Sequence, residues 1–280
     1  MAEVIAGGIR FHVQRLPARQ PIGCTDHHAD PPTVVFVHGL GVDNMSSFYY
    51  TLANPAAQAG VDVILYDLRG HGSTERPPTG YSVEASVRDL TALLDALGVN
   101  RPVHVVGNSY GGTVALALAM SHPARVGSLM LIEAVVEPAV MGETEWEEKM
   151  ARMLADGMEL RKVLAGRRAQ YGRKLRRFYS AIDVLVKSTT LAADLRAQRP
   201  FCDADLRSVT CPTLTVYGEH SDIIQQGHRL KRNLVDCDLA LVPGCSHFLI
   251  VEAPGILCDL LLRWLNIGTG ARPAENALAG

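Results

Sequence analysis

The residue best placed to do chemistry is Ser109, in the run Gly107-Asn108-Ser109-Tyr110-Gly111-Gly112. The run follows an apolar stretch, Val103 to Val106, and precedes a helix-like stretch, Thr113 to Met120. Gly-x-Ser-x-Gly between a strand and a helix forms a tight, strained turn that lifts the serine out of the sheet as a nucleophile. Gly107 and Gly111 are expected where a side chain would collide with neighbouring backbone. The serine would then sit at a helix N-terminus, where the dipole and free N–H groups favour developing negative charge. A serine hydroxyl is a weak nucleophile and needs a base, and the base needs a partner that fixes its tautomer. His247, in Pro243-Gly244-Cys245-Ser246-His247-Phe248, offers the base. Asp222, in Tyr217-Gly218-Glu219-His220-Ser221-Asp222, offers the partner. Each follows an apolar strand, and loops at the C-terminal ends of parallel strands gather on one edge of a sheet.

The elements that must position these groups can be read from the apolar pattern. A short hairpin is expected from Val4–Ile5 and Ile9–Gln14. Thr33 to Val37 is apolar throughout, as befits a strand covered on both faces of a parallel sheet, and it ends in His38-Gly39-Leu40-Gly41. Val61–Tyr66, Val103–Val106, Leu129–Ile132, Thr213–Tyr217 and Leu239–Val242 complete the strands. Ser82 is suited to cap a helix bearing Val83, Val87, Leu90, Leu93, Leu94 and Leu97, and Pro254–Leu265 reads as a closing helix. Alternating strands and helices predict an α/β fold with a doubly wound, mostly parallel sheet. The alternation fails between about Val135 and Asp205, which reads as a helical insertion. The expected organisation is a core of 1–134 and 206–267, a cap of 135–205 and a disordered tail of 268–280.

Composition limits the classes of function. The chain has 280 residues, 48% hydrophobic and 20% charged, with net charge −2. That balance supports a large buried core and gives no global pull toward nucleic acid or a membrane surface. No apolar run approaches the roughly 20 residues that span a bilayer. The N-terminus lacks the charged and apolar regions of a secretory signal, and the six cysteines include no Cys-x-x-Cys. A reduced, cytoplasmic protein is the simplest expectation. Asp26, His27, His28 and Asp30 crowd one loop and are read as solvated rather than metal-binding. No cofactor or metal is assigned.

The motifs together resemble the α/β-hydrolase superfamily from Thr33 to Leu265. The resemblance rests on His38-Gly39, on Asp67-Leu68-Arg69-Gly70-His71-Gly72-Ser73, on the Ser109 elbow and on the loop bearing His247. The order Ser109, Asp222, His247 is that of the superfamily. The resemblance implies Ser109 as nucleophile, His247 as base and Asp222 as the acid that orients it. It implies an oxyanion hole from the backbone N–H groups of Leu40 and Tyr110. It also leaves two other acids open, because Asp222 stands four residues after Gly218 where relatives commonly have two or three. Glu133, after Leu129–Ile132, is where some members place the acid, and Glu219 is a third candidate. The Asp67–Ser73 turn is read as structural.

The insertion resembles the superfamily's lid, which shapes substrate choice. Its charge is polarised: Glu143, Glu145, Glu147 and Glu148 come first, and Arg161 to Arg177 then holds eight Lys or Arg. That segment is either a solvated helix face or a dock for an anionic partner, such as an acidic carrier protein or coenzyme A. The expected activity is hydrolysis of a carboxylic ester or thioester through an acyl-enzyme. Asn108 beside the serine resembles carbon–carbon hydrolases of ring-cleavage products, which stand as the second reading, with acyl transfer a third. A ligand receptor on the same scaffold is the non-enzymatic alternative.

Overall fold

The computed structural model describes residues 2–19, 31–41, 43–136 and 184–265. Eight strands form one sheet: β1 (Ala2–Ala6), β2 (Ile9–Leu16), β3 (Thr33–Val37), β4 (Asp62–Tyr66), β5 (Val103–Asn108), β6 (Val126–Ile132), β7 (Thr213–Gly218) and β8 (Cys237–Val242). Their order is β1-β2-β4-β3-β5-β6-β7-β8. The β1–β2 hairpin is antiparallel and β2 joins β4 antiparallel, whereas β4, β3, β5, β6, β7 and β8 run parallel. The fold is α/β with a mostly parallel sheet, as the alternation predicts.

Strand periodicity divides the core into two layers. Val35, Val37, Val105, Leu129 and Leu131 face one side, where they pack with Leu90, Leu93, Val114 and Leu118 from the helices Val83–Ala96 and Tyr110–Ser121. Val34, Phe36, Val106, Met130 and Ile132 face the other, against Phe48, Leu52, Leu257, Leu261 and Trp264. Both faces are therefore apolar, which is why β3 reads as an unbroken hydrophobic run. Each fully buried leucine contributes roughly 1.5–3 kcal/mol relative to exposure.

Local signals explain most boundaries. Ser82 Oγ accepts the Ala85 N–H at 3.2 Å and starts the Val83–Ala96 helix, which ends before Gly98 at φ +70°. Two helical stretches carry no clear sequence pattern. Ser46–Phe48, the π-helical Tyr49–Ala53 and Asn54–Gln58 follow one another. Asn54 Nδ2 donates to Tyr49 O across the π segment. The Ile224–Asn233 helix buries only Gly227 and Leu230, too few apolar positions to show a period. Gly227 lies against the Tyr217 ring, where a Cβ would stand 2.6 Å from Cδ2.

Of the insertion expected at 135–205, only 135–136 and 184–205 are among the described residues. Short helices occur at Leu191–Arg196 and Asp203–Arg207. Leu185 and Leu191 pack with Tyr81, and Leu40 lies against that cluster. Thr190 N–H donates to Pro78 O, and Asp194 Oδ2 accepts the Tyr81 N–H at 2.7 Å. The acidic and basic runs of the cap, including 161–177, lie outside the described residues. So do the loop with Asp26 and His28 and the tail of 268–280. Among the described residues, no helix is long and apolar enough to cross a membrane.

Candidate active site

The site forms where β5, β6 and β8 end. Asn108 is the last residue of β5 and Tyr110 opens the Tyr110–Ser121 helix, so Ser109 makes the whole connection. Its backbone adopts φ +51°, ψ −115°, which side chains strain to reach. The turn is held on both sides: Ser109 N–H donates to Ile132 O at 2.8 Å, and Ser109 O accepts the Gly112 N–H at 2.9 Å. A Cβ on Gly107 would run into the Gly111 carbonyl, and one on Gly111 into the Val37 carbonyl. The two glycines therefore serve the close approach that the sequence motif implies.

His247 faces Ser109, with Nε2 3.3 Å from Ser109 Oγ. Its Nδ1 lies 3.0 Å from Glu133 Oε2. Glu133 is fully buried and accepts further hydrogen bonds from Gly218 N–H and Ser221 Oγ, each at 2.6 Å. A buried carboxylate is costly unless it is hydrogen-bonded, and donors converge on both of its oxygens. With Glu133 acting as acceptor, Nδ1 carries the imidazole proton and Nε2 is left to accept from the serine hydroxyl.

Of the three candidate acids, the geometry brings Glu133 to the imidazole and leaves Asp222 and Glu219 away from it. Asp222 is exposed in the turn after β7, whereas the Nδ1 position is filled by Glu133. The reason lies in the backbone. Glu133 has φ +51° just past β6, and Ser109 and Glu133 are the two non-glycine residues with positive φ among those described. The inward position of the β7 turn is taken by Ser221, whose hydroxyl supports Glu133. Glu219, the third candidate, is also exposed, and its Oε2 accepts the Gly244 N–H at 2.9 Å in the turn that leads to His247. A Cβ on Gly218 would collide with the carbonyls of Cys245 and Ser246, so the bare glycine lets the histidine loop approach. Glu252 completes that loop by accepting Ser246 N–H and Ser246 Oγ–H, both at 2.7 Å.

The Leu40 loop also borders Ser109, since a Cβ on Gly39 would lie 3.4 Å from Ser109 Cβ. Gly39 N–H donates to Asp43 Oδ2 at 2.8 Å and Gly41 N–H to His71 Nε2 at 3.2 Å. Leu40 sits between these anchored residues. Tyr110 N–H is among the first amides of its helix, which have no intrahelical acceptor. The Tyr110 hydroxyl meets Ser86 Oγ at 2.9 Å, and burial pushes the phenol above its ordinary pKa. His71 is held down to about 4 by burial and by the facing His38. Its Nδ1–H donates to Arg69 O at 3.0 Å, which leaves Nε2 as the acceptor for the loop. The Asp67–Ser73 turn therefore reaches the site's edge through His71. Sequence reasoning missed this contact, along with Asp43, Ser221 and Glu252.

Among the described residues, no group of three or more His, Cys, Asp or Glu side chains could hold a metal ion. The thiols of Cys202, Cys211, Cys237, Cys245 and Cys258 are free.

Comparison with known proteins agrees with this architecture. A protein of Variovorax paradoxus with the provisional name carbamate hydrolase RutD is 29% identical over 249 residues, covering 85% of this chain and 92% of the relative. The 2-hydroxy-6-oxo-2,4-heptadienoate hydrolase of Pseudomonas putida is 26% identical over 275 residues, covering 89% of this chain and 90% of the relative. The solved structure of an esterase from Exiguobacterium antarcticum superposes with a TM-score of 0.69 at 18% identity, covering 94% of this chain and 98% of that one, and shares the fold. The model of the alpha/beta hydrolase family matches residues 34–260. The chain belongs to the alpha/beta hydrolase family.

Proposed function

We propose that this hydrolase is a serine hydrolase that cleaves a carboxylic ester or thioester through an acyl-enzyme. The observation that carries the reading is the continuous chain from Ser109 Oγ through His247 to the buried carboxylate of Glu133. His247 Nε2 takes the proton as Ser109 Oγ attacks the acyl carbonyl. Glu133 holds the imidazole in the reactive tautomer and stabilises its cation. The Leu40 and Tyr110 N–H groups donate to the oxyanion, with the helix N-terminus adding its dipole. The proton on Nε2 passes to the leaving oxygen or sulfur. Water, deprotonated by the same nitrogen, then attacks the acyl-enzyme and releases the acid.

The names of several relatives support a second reading, hydrolysis of a carbon–carbon bond in a hydroxy-oxo-dienoate. Asn108, the residue that resembles that class, donates one of its two Nδ2–H groups to Asp43 Oδ2 at 3.0 Å, which fixes the side chain beside Ser109. The ester reading stands first because it needs only the Ser109–His247–Glu133 relay and an oxyanion site. Turnover of p-nitrophenyl esters of graded acyl length tests it. Length-dependent hydrolysis that disappears in Ser109→Ala supports the ester reading. Inert esters with cleavage of a ring-opened dienoate would replace it with the second.

A further inference from the structure

An oxyanion site needs two donors aimed at one point, each about 2.7–3.1 Å from it. Here the donors of the proposed mechanism come from separate segments, the loop after β3 and the elbow after β5. The two strands pair in parallel register up to Val37 and Gly107, so the ladder ends just before both donors. Something beyond the ladder must fix their spacing.

Asp43 bridges that gap. Its Oδ2 accepts both the Gly39 N–H at 2.8 Å and Asn108 Nδ2–H at 3.0 Å, and Asp43 and Asn108 are 65 positions apart in sequence. Oδ1 accepts the Asn44 N–H at 3.2 Å, and the side chain is buried. A Cβ placed on Gly39 would lie 3.2 Å from Asp43 Oδ2, 3.3 Å from Asn108 Nδ2 and 3.4 Å from Ser109 Cβ, so these atoms surround one point beside the nucleophile. Gly39 immediately precedes Leu40, and Asn108 immediately precedes Ser109 and Tyr110. One shared oxygen atom thus ties the loop that presents the first donor to the turn that presents the second.

We propose that Asp43 is a positioning residue for the oxyanion site, clamping the Leu40 loop to the Ser109 elbow through Asn108. The proposal rests on the ester-hydrolase reading for its effect on rate, though not for the clamp itself. Misplacing a donor by about 1 Å costs about 10²-fold in rate, and the loss falls on the transition state.

The test compares Asp43→Ala, Asp43→Asn, Asn108→Ala and the Asp43→Ala/Asn108→Ala double variant with wild type. p-Nitrophenyl acetate turnover and backbone amide exchange by mass spectrometry are the readouts. Asp43→Ala and Asn108→Ala are each expected to lower kcat by about 10²-fold while KM stays within about threefold. The double variant should fall no further than the worse single one, because both break the same link. Asp43→Asn retains one acceptor oxygen and should lose less than Asp43→Ala; it also serves if the alanine variant does not fold. Asn108→Ala should speed exchange at Gly39–Gly41, a segment distant in sequence. Multiplying losses in the double variant, or unchanged kcat in folded Asp43→Ala, would overturn the clamp. Unchanged exchange at Gly39–Gly41 in Asn108→Ala would overturn it whatever the esters do. A wild type inert toward esters would instead sink the ester reading, and the exchange result would still decide the clamp.

Discussion

Glu133 Oε2 lies 3.0 Å from His247 Nδ1, across 114 positions of sequence. This contact sets Glu133, one residue past the end of β6, beside the imidazole, where the proposed mechanism needs its orienting acid. Glu133→Gln retains size but can turn an N–H toward Nδ1 and favour the wrong tautomer. A loss of about 10³–10⁴-fold in kcat is expected. Asp222→Asn should keep kcat within about threefold, as a surface change away from the reacting atoms. Steady-state kinetics of the two variants side by side distinguish the acids.

Ser221 Oγ donates to the same carboxylate at 2.6 Å and is itself buried. Ser221→Ala removes one donor and leaves part of a buried carboxylate unsatisfied. A stability loss of about 1–3 kcal/mol is expected by urea denaturation. The kcat loss should be smaller than that of Glu133→Gln, because Gly218 N–H still holds the other oxygen.

Ser109 stores strain at φ +51°. Ser109→Gly and Ser109→Ala both delete the hydroxyl and should both abolish ester turnover. The glycine variant also relieves the backbone, so it should be more stable than the alanine variant by about 1 kcal/mol. Thermal unfolding of the two variants measures the difference. Equal midpoints would mean the turn carries no strain that a side chain feels.

His71 makes stability depend on pH in a stated direction. Its pKa falls from 6.5 to about 4 in the folded chain, because burial and the facing His38 disfavour the cation. Between those values the unfolded chain binds a proton that the folded chain does not. Stability is therefore at its full value above pH 6.5 and declines as pH falls toward 4, by up to ~3 kcal/mol from this group. His71→Gln should flatten that decline in urea titrations at pH 7, 5.5 and 4. Burial also lowers the His104 pKa, so some slope should remain in the variant.

The centre of the sheet was legible because strands such as β3, β6 and β7 are buried on both faces and read as short apolar runs. Thr33–Val37 is the clearest, and its observed bounds match the expectation. Ser109 and His247 stood out in the sequence because glycines mark their turns, and the structure brings them within 3.3 Å. The acid did not stand out, since three carboxylates follow β6 and β7 and the sequence does not reveal backbone angles. A positive φ at Glu133 and the inward turn of Ser221 bring Glu133 to the imidazole, and both depend on tertiary packing. The Ile224–Asn233 helix was hidden for a different reason: it rests on the sheet through a glycine and one leucine, so its surface is mostly polar. Asp43 escaped notice because a single aspartate in a loop carries no pattern.

The most direct measurement is intact-protein mass spectrometry after exposure to a fluorophosphonate, followed by peptide mapping. The account predicts one adduct on Ser109 in the wild type, none in Ser109→Ala, and much slower labelling in Glu133→Gln than in Asp222→Asn. An unlabelled, folded wild type would contradict the account. So would an adduct on another residue, or labelling slowed by Asp222→Asn and unaffected by Glu133→Gln.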